Sequence, residues 1–178
     1  MKRKLIIDCD PGQDDCINLF LALPPTNLYE VLGITVVAGN VSLDKVSRNA
    51  RLICELSNRF DIPVYEGCDA PLEISLVTAE EVHSDEGLEG IEIFEPKIKA
   101  QDKHAVDFII DELMAAENGE ITLVPTGPLT NIASAIKKEP LIVDKIAEIV
   151  LMGGAMREGG NITPSAEFNI FVDPKAAQ

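Results

Sequence analysis

Tryptophan is absent, and aromatic residues make up only 4 % of the chain. Aromatic platforms for stacking nucleic-acid bases are therefore disfavoured. Positive charge is also scarce: 15 Lys and Arg stand against 30 Asp and Glu, a net charge of −15. That balance argues against nucleic acid or an anionic membrane as partner, and it is compatible with bound divalent cations. No apolar run is long enough to span a bilayer. The basic start Met1-Lys2-Arg3-Lys4 runs into three apolar residues and then an Asp, too short for a signal peptide. The four cysteines, Cys9, Cys16, Cys54 and Cys68, form no CxxC pair. They read as buried free thiols in a reducing compartment, so a cytoplasmic location is expected. Phosphate-binding signatures are missing too. Gly153-Gly154 and Gly159-Gly160 lack the GxxxxGK[ST] pattern, and Gly12 alone is no dinucleotide fingerprint.

What the chain has is acid in one place. Asp8, Asp10, Asp14 and Asp15 follow the apolar run Leu5-Ile6-Ile7, with Pro11-Gly12 between them as a sharp turn. Carboxylates so close repel one another unless a hard cation or polar ligand shares their field. The pattern points to an oxygen-ligand metal site at the end of a strand, and so to an enzyme. The bland alternative is that some of these acids only cap the helix starting at Asp14.

With 178 residues, 46 % of them hydrophobic, the chain has the size and composition of one globular domain. Strand-like segments at 5–8, 32–38, 62–65, 121–124 and 149–152 alternate with helix-like segments at 14–23, 42–58, 102–117 and 129–138. Ser42 reads as a helix cap, and Asn118-Gly119 as a helix terminator. His104 reads as a surface residue near a helix start. This rhythm predicts an α/β fold: a three-layer, open, mostly parallel sheet with helices on both faces, Rossmann-like. Residues 66–101 read as irregular. Seven acids and no Lys or Arg fall between Glu80 and Glu95, which suits a solvated mobile loop or one overhanging a site. Asp173-Pro174 looks like a helix cap and first residue, but the four residues that follow cannot make a stable helix.

Ligands in open parallel sheets gather at the C-terminal ends of strands. Four loops deliver polar groups there: Asp8 to Asp15, Gly39-Asn40, Pro125-Thr126-Gly127, and the run after Met152. Asp10 and Asp15 flank a tight turn and can reach one ion, beside which a carboxylate can take a proton from water. Asn161, Glu167 and Asn169 form a polar set suited to a diol.

The chain resembles the inosine/uridine-preferring nucleoside hydrolase family. Asp8-Cys9-Asp10-Pro11-Gly12-Gln13-Asp14-Asp15 is similar to that family's DxDPGxDD signature. Val37-Ala38-Gly39-Asn40-Val41, Val82-His83, Pro125 to Asn131, Met152-Gly153-Gly154, Glu167-Phe168-Asn169-Ile170 and Val172-Asp173-Pro174 follow in the family order. The resemblance implies hydrolysis of the N-glycosidic bond of ribonucleosides to ribose and free base, with Ca²⁺ as cofactor. It implies that Asp10 is the general base for a metal-bound water. Asp10 and Asp15 would ligate Ca²⁺ by carboxylate, and Thr126 by its backbone carbonyl. Asn40 would orient the nucleophile or Asp10. Asp14, Asn161, Glu167 and Asn169 would hold the ribose hydroxyls, Met152 would line the ribose pocket, and His83 would lie near the base. A nucleoside substrate and a homo-oligomer, dimer or tetramer, are the partners it implies. Choice between purine and pyrimidine is left open.

Two departures stand out. Ser84 replaces the usual Gly after the histidine, and Glu86 and Glu89 make the following loop acidic. Family members are also considerably longer, their last third supplying a further Asp ligand and often a histidine acid. The expectation is a single nucleoside hydrolase-like domain over 1–178, truncated at its C-terminus and inactive or weak by itself. Two alternatives are a non-catalytic remnant that binds nucleoside, ribose or Ca²⁺, and a hydrolase of the haloacid dehalogenase type. Pro11-Gly12-Gln13-Asp14-Asp15 departs from the latter's pattern.

Overall fold

The computed structural model describes residues 2–26 and 28–178. Among these residues five strands form one parallel sheet: β1 (Arg3–Cys9), β2 (Tyr29–Val36), β3 (Val64–Glu66), β4 (Ile121–Pro125) and β5 (Ile146–Ile149), in the order β3-β2-β1-β4-β5. The helices are α1 (Gln13–Ala22), α2 (Leu43–Leu56), α3 (Glu80–His83), α4 (Ala105–Ala115), α5 (Thr130–Lys138) and α6 (Phe168–Val172), with a 3-10 helix at Pro140–Lys145.

Strand periodicity decides the layers. In β1, Ile7 and Cys9 face α1 and α2, packing with Leu19, Val46, Ala50 and Ile53. Ile6 faces the other way, onto Phe108, Ile109 and Leu113 of α4 and Ile132 of α5. Each fully buried Ile or Leu side chain contributes about 1.5–3 kcal/mol, so a strand apolar on both faces can only be central. The expected Rossmann-like α/β sandwich is therefore what forms. Among the described residues no helix is long and apolar enough to cross a membrane.

Local differences from the sequence expectations have physical causes. Ser42 stands at the start of α2 with extended backbone, but its hydroxyl bonds the Asp44 carboxylate instead of capping a helix amide. His104 does more than sit at the surface: its Nδ1 accepts from the Val106 amide and caps α4, so that helix begins at Ala105 and not at Asp102. The last strand lies at Ile146–Ile149, earlier than the expected 149–152, and Val150, Leu151 and Met152 are about half exposed. The Val150 and Met152 amides still donate to the Leu123 and Pro125 carbonyls, so the chain continues beside β4 with no layer of the described residues over it. Asp173 caps as expected, accepting from the Ala176 amide at 3.0 Å, and the following residues form only a turn. Its other oxygen accepts from the Leu72 amide and the Thr130 hydroxyl, tying the loop after β3 and the start of α5 to the chain after α6. All four cysteines are free thiols, three of them buried.

Candidate active site

The strand order places a reversal of direction between β1 and β4. The chain leaves β1 toward β2 on one side, and β4 joins on the other. A crevice opens at the carboxyl ends of two such strands. The turn after β1 brings Asp10 there, and the turn after β4 brings Thr126, whose amide donates to the Asp8 carbonyl at 2.8 Å.

Asp10 and Asp15 form the floor, 1 % and 2 % exposed. Asp10 Oδ2 accepts from the Asn40 amide at 2.7 Å, and the Asn40 side chain donates to the Asp10 carbonyl at 2.9 Å. Asn40 is thus clamped to Asp10 at both ends. The Thr126 hydroxyl donates to Asp15 Oδ1 at 2.5 Å. Glycines on either side make room: a Cβ on Gly39 would collide with the Asp10 carboxylate, and one on Gly127 would stand 2.6 Å from Asp10 Oδ1. Asp8 does not cap α1. It is fully buried behind the floor, accepting from Thr35 Oγ1 at 2.5 Å and Asn131 Nδ2 at 2.8 Å.

Burial, then the neighbouring Asp15 charge, holds the Asp10 carboxyl well above the ordinary range. Asp15 is pushed up to about 6, mainly by burial, against the Thr126 hydrogen bond that lowers it. Asp8 reaches about 7 for the same first reason, opposed by its Asn131 and Thr35 bonds. One oxygen of each carboxyl (Asp8 Oδ2, Asp10 Oδ1 and Asp15 Oδ2) is buried with no partner. Orphaned buried carboxylate oxygens are costly. For Asp10 and Asp15 the chemistry of the donors fits a hard, oxygen-preferring cation such as Ca²⁺, with the Thr126 carbonyl as a third oxygen. That carbonyl already accepts from Asn169 Nδ2 at 2.9 Å and retains a second lone pair. Among the described residues, no three His, Cys, Asp or Glu side chains converge as a metal site.

Above the floor lies a cavity of about 430 Å³. Asp14 lines it from the start of α1, Asn40 from the loop after β2, Thr126 from the turn after β4, His83 from α3, Met152, Asn161 and Glu167 from the C-terminal loops, and Asn169 from α6. The candidate residues Asp14, Asn40, His83, Thr126, Met152, Asn161, Glu167 and Asn169 therefore share one cavity, with Asp10 and Asp15 joined to it through their bonds to Asn40 and Thr126. Several are already committed. Glu167 caps α6 through the Asn169 and Ile170 amides and accepts from Gly154 at 3.0 Å. Asn169 Nδ2 also donates to the Met152 carbonyl and sulfur. Asn161 Oδ1 accepts from the Phe168 amide. Asp14 is exposed to the cavity, and His83 Nδ1 accepts weakly from the Gln13 amide at 3.4 Å. Sequence reasoning assigned no role to Asn131, Thr35 or Asn49, although Asn131 lies inside one of the recognised motifs. No local pattern signals a buried amide whose partners lie on other strands.

Fold and site together define a parallel α/β protein with an acid-floored, oxygen-rich pocket at the reversal point of its sheet, suited to a cation and a polyhydroxy ligand. Comparison with known proteins gives the family. The chain belongs to the inosine-uridine preferring nucleoside hydrolase family, whose sequence profile matches residues 5–178. It is 51 % identical over 178 residues to the pyrimidine-specific ribonucleoside hydrolase RihB of Escherichia coli O157:H7, covering 99 % of this chain and 55 % of that protein. Among solved structures it is similar to a plant nucleoside hydrolase, PpNRh1 (TM-score 0.93, 38 % identity, 99 % of this chain and 56 % of that one). A purine-preferring ribonucleoside hydrolase from Gardnerella vaginalis is equally similar in fold (TM-score 0.92, 41 % identity, 98 % and 56 %). The chain thus spans about half the length of the relatives it matches.

Proposed function

We propose that this chain carries the ribose-binding and water-activating part of a ribonucleoside hydrolase that cleaves the N-glycosidic bond to ribose and free base. The observation that carries the reading is the pair Asp10 and Asp15, buried side by side under the cavity with an unpartnered oxygen each. Asp10, Asp15 and the Thr126 carbonyl would hold a Ca²⁺ ion. Such an ion, when bound, lowers the pKa of a coordinated water and returns the two carboxyls to their charged forms.

The other steps belong to the chain's own residues. Asp10 Oδ1 takes a proton from the attacking water, a role worth about 10²–10⁴-fold in rate. The Asn40 clamp holds that carboxylate in a single orientation. Asp14, Asn161, Glu167 and Asn169 hold the ribose hydroxyls, which fixes the pose. The Asp14 and Glu167 carboxylates favour the positive charge that grows on the sugar in an oxocarbenium-like transition state. Met152 and His83 both line the cavity; in this reading Met152 packs on the ribose and His83 faces the base. Relatives named for pyrimidine and for purine substrates match this chain at 51 % and 41 % identity, so the reading extends to ribonucleosides and not to one base. A homo-oligomer belongs to the same proposal, supported by the apolar surface at Leu21, Leu28 and Val150, as does a cytoplasmic location.

The chain spans about half the length of its relatives, and the second reading is a nucleoside- or cation-binding protein without turnover. The test is base release from uridine and inosine by the purified chain, in Ca²⁺ and in chelator, beside Asp10→Asn. Ca²⁺-dependent turnover that falls about 10²-fold or more in Asp10→Asn supports the proposal. Ca²⁺-dependent nucleoside binding without turnover selects the second reading. A folded chain that binds neither Ca²⁺ nor nucleoside overturns both.

A further inference from the structure

The acidic segment after His83 is not a loose solvated loop. Most of its counterions and donors come from one helix, α2, while Gln13 of α1 donates to Glu89 at 3.5 Å. Lys45 Nζ donates to the Asp85 carbonyl at 2.6 Å. Arg48 pairs with the Glu86 carboxylate at 2.6 Å and also donates to the Glu86 carbonyl at 3.3 Å. Asn49, fully buried, donates to the same carbonyl at 2.8 Å. These three residues, three and four apart, share one helix face.

Asn49 also reaches the acid turn. Its Nδ2 donates to the Pro11 carbonyl at 3.2 Å, one residue past Asp10, while its Oδ1 accepts from Arg48 at 3.1 Å. One amide therefore spans the turn that carries the floor acid and the segment that carries the cavity wall. The fit is close: Gly87, at φ +78°, passes so near that a Cβ there would stand 2.9 Å from Asn49 Nδ2. Leu88 anchors the far end in the core beneath, and its carbonyl accepts from Ser84 Oγ. Ser84, next to His83, is thereby fixed at an unusual φ of 65°.

We infer that Arg48 and Asn49 are positioning residues for the substrate site. By latching Asp85 to Leu88 onto α2 they set the cavity wall of residues 78–83, and with it His83, over the acid turn. Neither side chain lines the cavity, so both act through that wall. The substrate part of the inference rests on the proposed nucleoside-binding function. The latch itself does not.

The test is hydrogen exchange of residues 79–90 in the purified chain and in Arg48→Ala, Asn49→Ala and Arg48→Lys, with uridine and inosine affinity measured alongside. Exchange in the alanine variants should rise about tenfold while the β1 and β4 amides stay protected. Arg48→Lys, which keeps the charge facing Glu86, should return most of the protection. Arg48→Ala, which leaves the acid turn untouched, should raise the nucleoside Kd or KM with kcat unchanged, and Asn49→Ala should raise the Kd as well. Unaltered exchange at 79–90 in folded variants overturns the latch. Raised exchange with unaltered nucleoside affinity overturns the positioning role. Should Asn49→Ala fail to fold, Arg48→Ala and Glu86→Gln carry the same comparison. If the parent chain binds no nucleoside, the functional proposal fails there, and the latch is judged on exchange alone.

Discussion

The side-chain amide of Asn131 donates to the carboxylate of Asp8 at 2.8 Å across 123 residues of sequence. The same Nδ2 donates to the Val36 carbonyl, and Oδ1 accepts from the Cys68 amide at 2.8 Å. One fully buried side chain on α5 therefore binds the ends of β1 and β2 and the start of the loop after β3. All lie at the edge where the site is built.

Replacing Asn131 by Ala should accordingly be severe. It leaves a buried carboxyl, a carbonyl and an amide short of partners, for a cost of about 3–5 kcal/mol. Urea denaturation followed by circular dichroism measures it, and a loss below about 1 kcal/mol would show that the network is dispensable.

Gly39→Ala tests the floor from a different side. The added methyl meets the Asp10 carboxylate and stands 2.9 Å from Pro128, so Asp10 must move. The expected result is a folded protein with Ca²⁺ affinity reduced about tenfold or more, because a ligand oxygen is displaced. Isothermal titration with Ca²⁺ reads this directly, and parent-like affinity would contradict the tight placement of Asp10.

In chelator, stability should fall as pH rises. The folded-state values of Asp8, about 7, and Asp15, about 6, lie above the unfolded value of 3.8. Between those limits the folded state binds more protons than the unfolded one. The stabilisation is therefore complete below about pH 4 and is lost as pH climbs through 6 to 7. Urea midpoints at pH 5 and pH 8 in chelator should show the drop, and saturating Ca²⁺ should remove most of it. A chelated protein more stable at pH 8 than at pH 5 would refute the origin assigned to these shifts.

Asp15→Asn should separate repulsion from ligation. Without the cation the variant loses a charge that opposes Asp10, so its thermal midpoint in chelator should equal or exceed the parent's. Adding Ca²⁺ at a hundredfold excess over its Kd should stabilise the parent by about 2.7 kcal/mol and the variant by far less. Equal Ca²⁺ responses would remove Asp15 from the ligand set.

Much of this protein follows from local pattern. Alternating β-branched runs and amphipathic helices predict a parallel α/β fold because side-chain period and burial are set within a few residues. The DxDPGxDD turn, Asn40, Thr126 and the Asn161 to Asn169 run were legible as candidate site residues because their chemistry is dense and their motifs are short. The boundaries of the last strand were not legible. Ile149-Val150-Leu151-Met152 reads as buried from its composition, yet nothing in the described structure covers its outer half. Capping at Ser42 failed for a similar reason: Asp44 competes for the hydroxyl, and propensity does not record a competitor.

The sequence by itself determined the layer order, the acid turn and the types of group that would meet around a ligand, since these depend on periodicity and on neighbours in the chain. Tertiary structure alone decided which of the four acids are buried and which is open, that Asp8 braces the strands, and that α2 holds the wall of the site. Those outcomes depend on contacts between residues tens to more than a hundred positions apart. Their energy comes from hydrogen bonds and burial that exist only once the sheet has closed the distance.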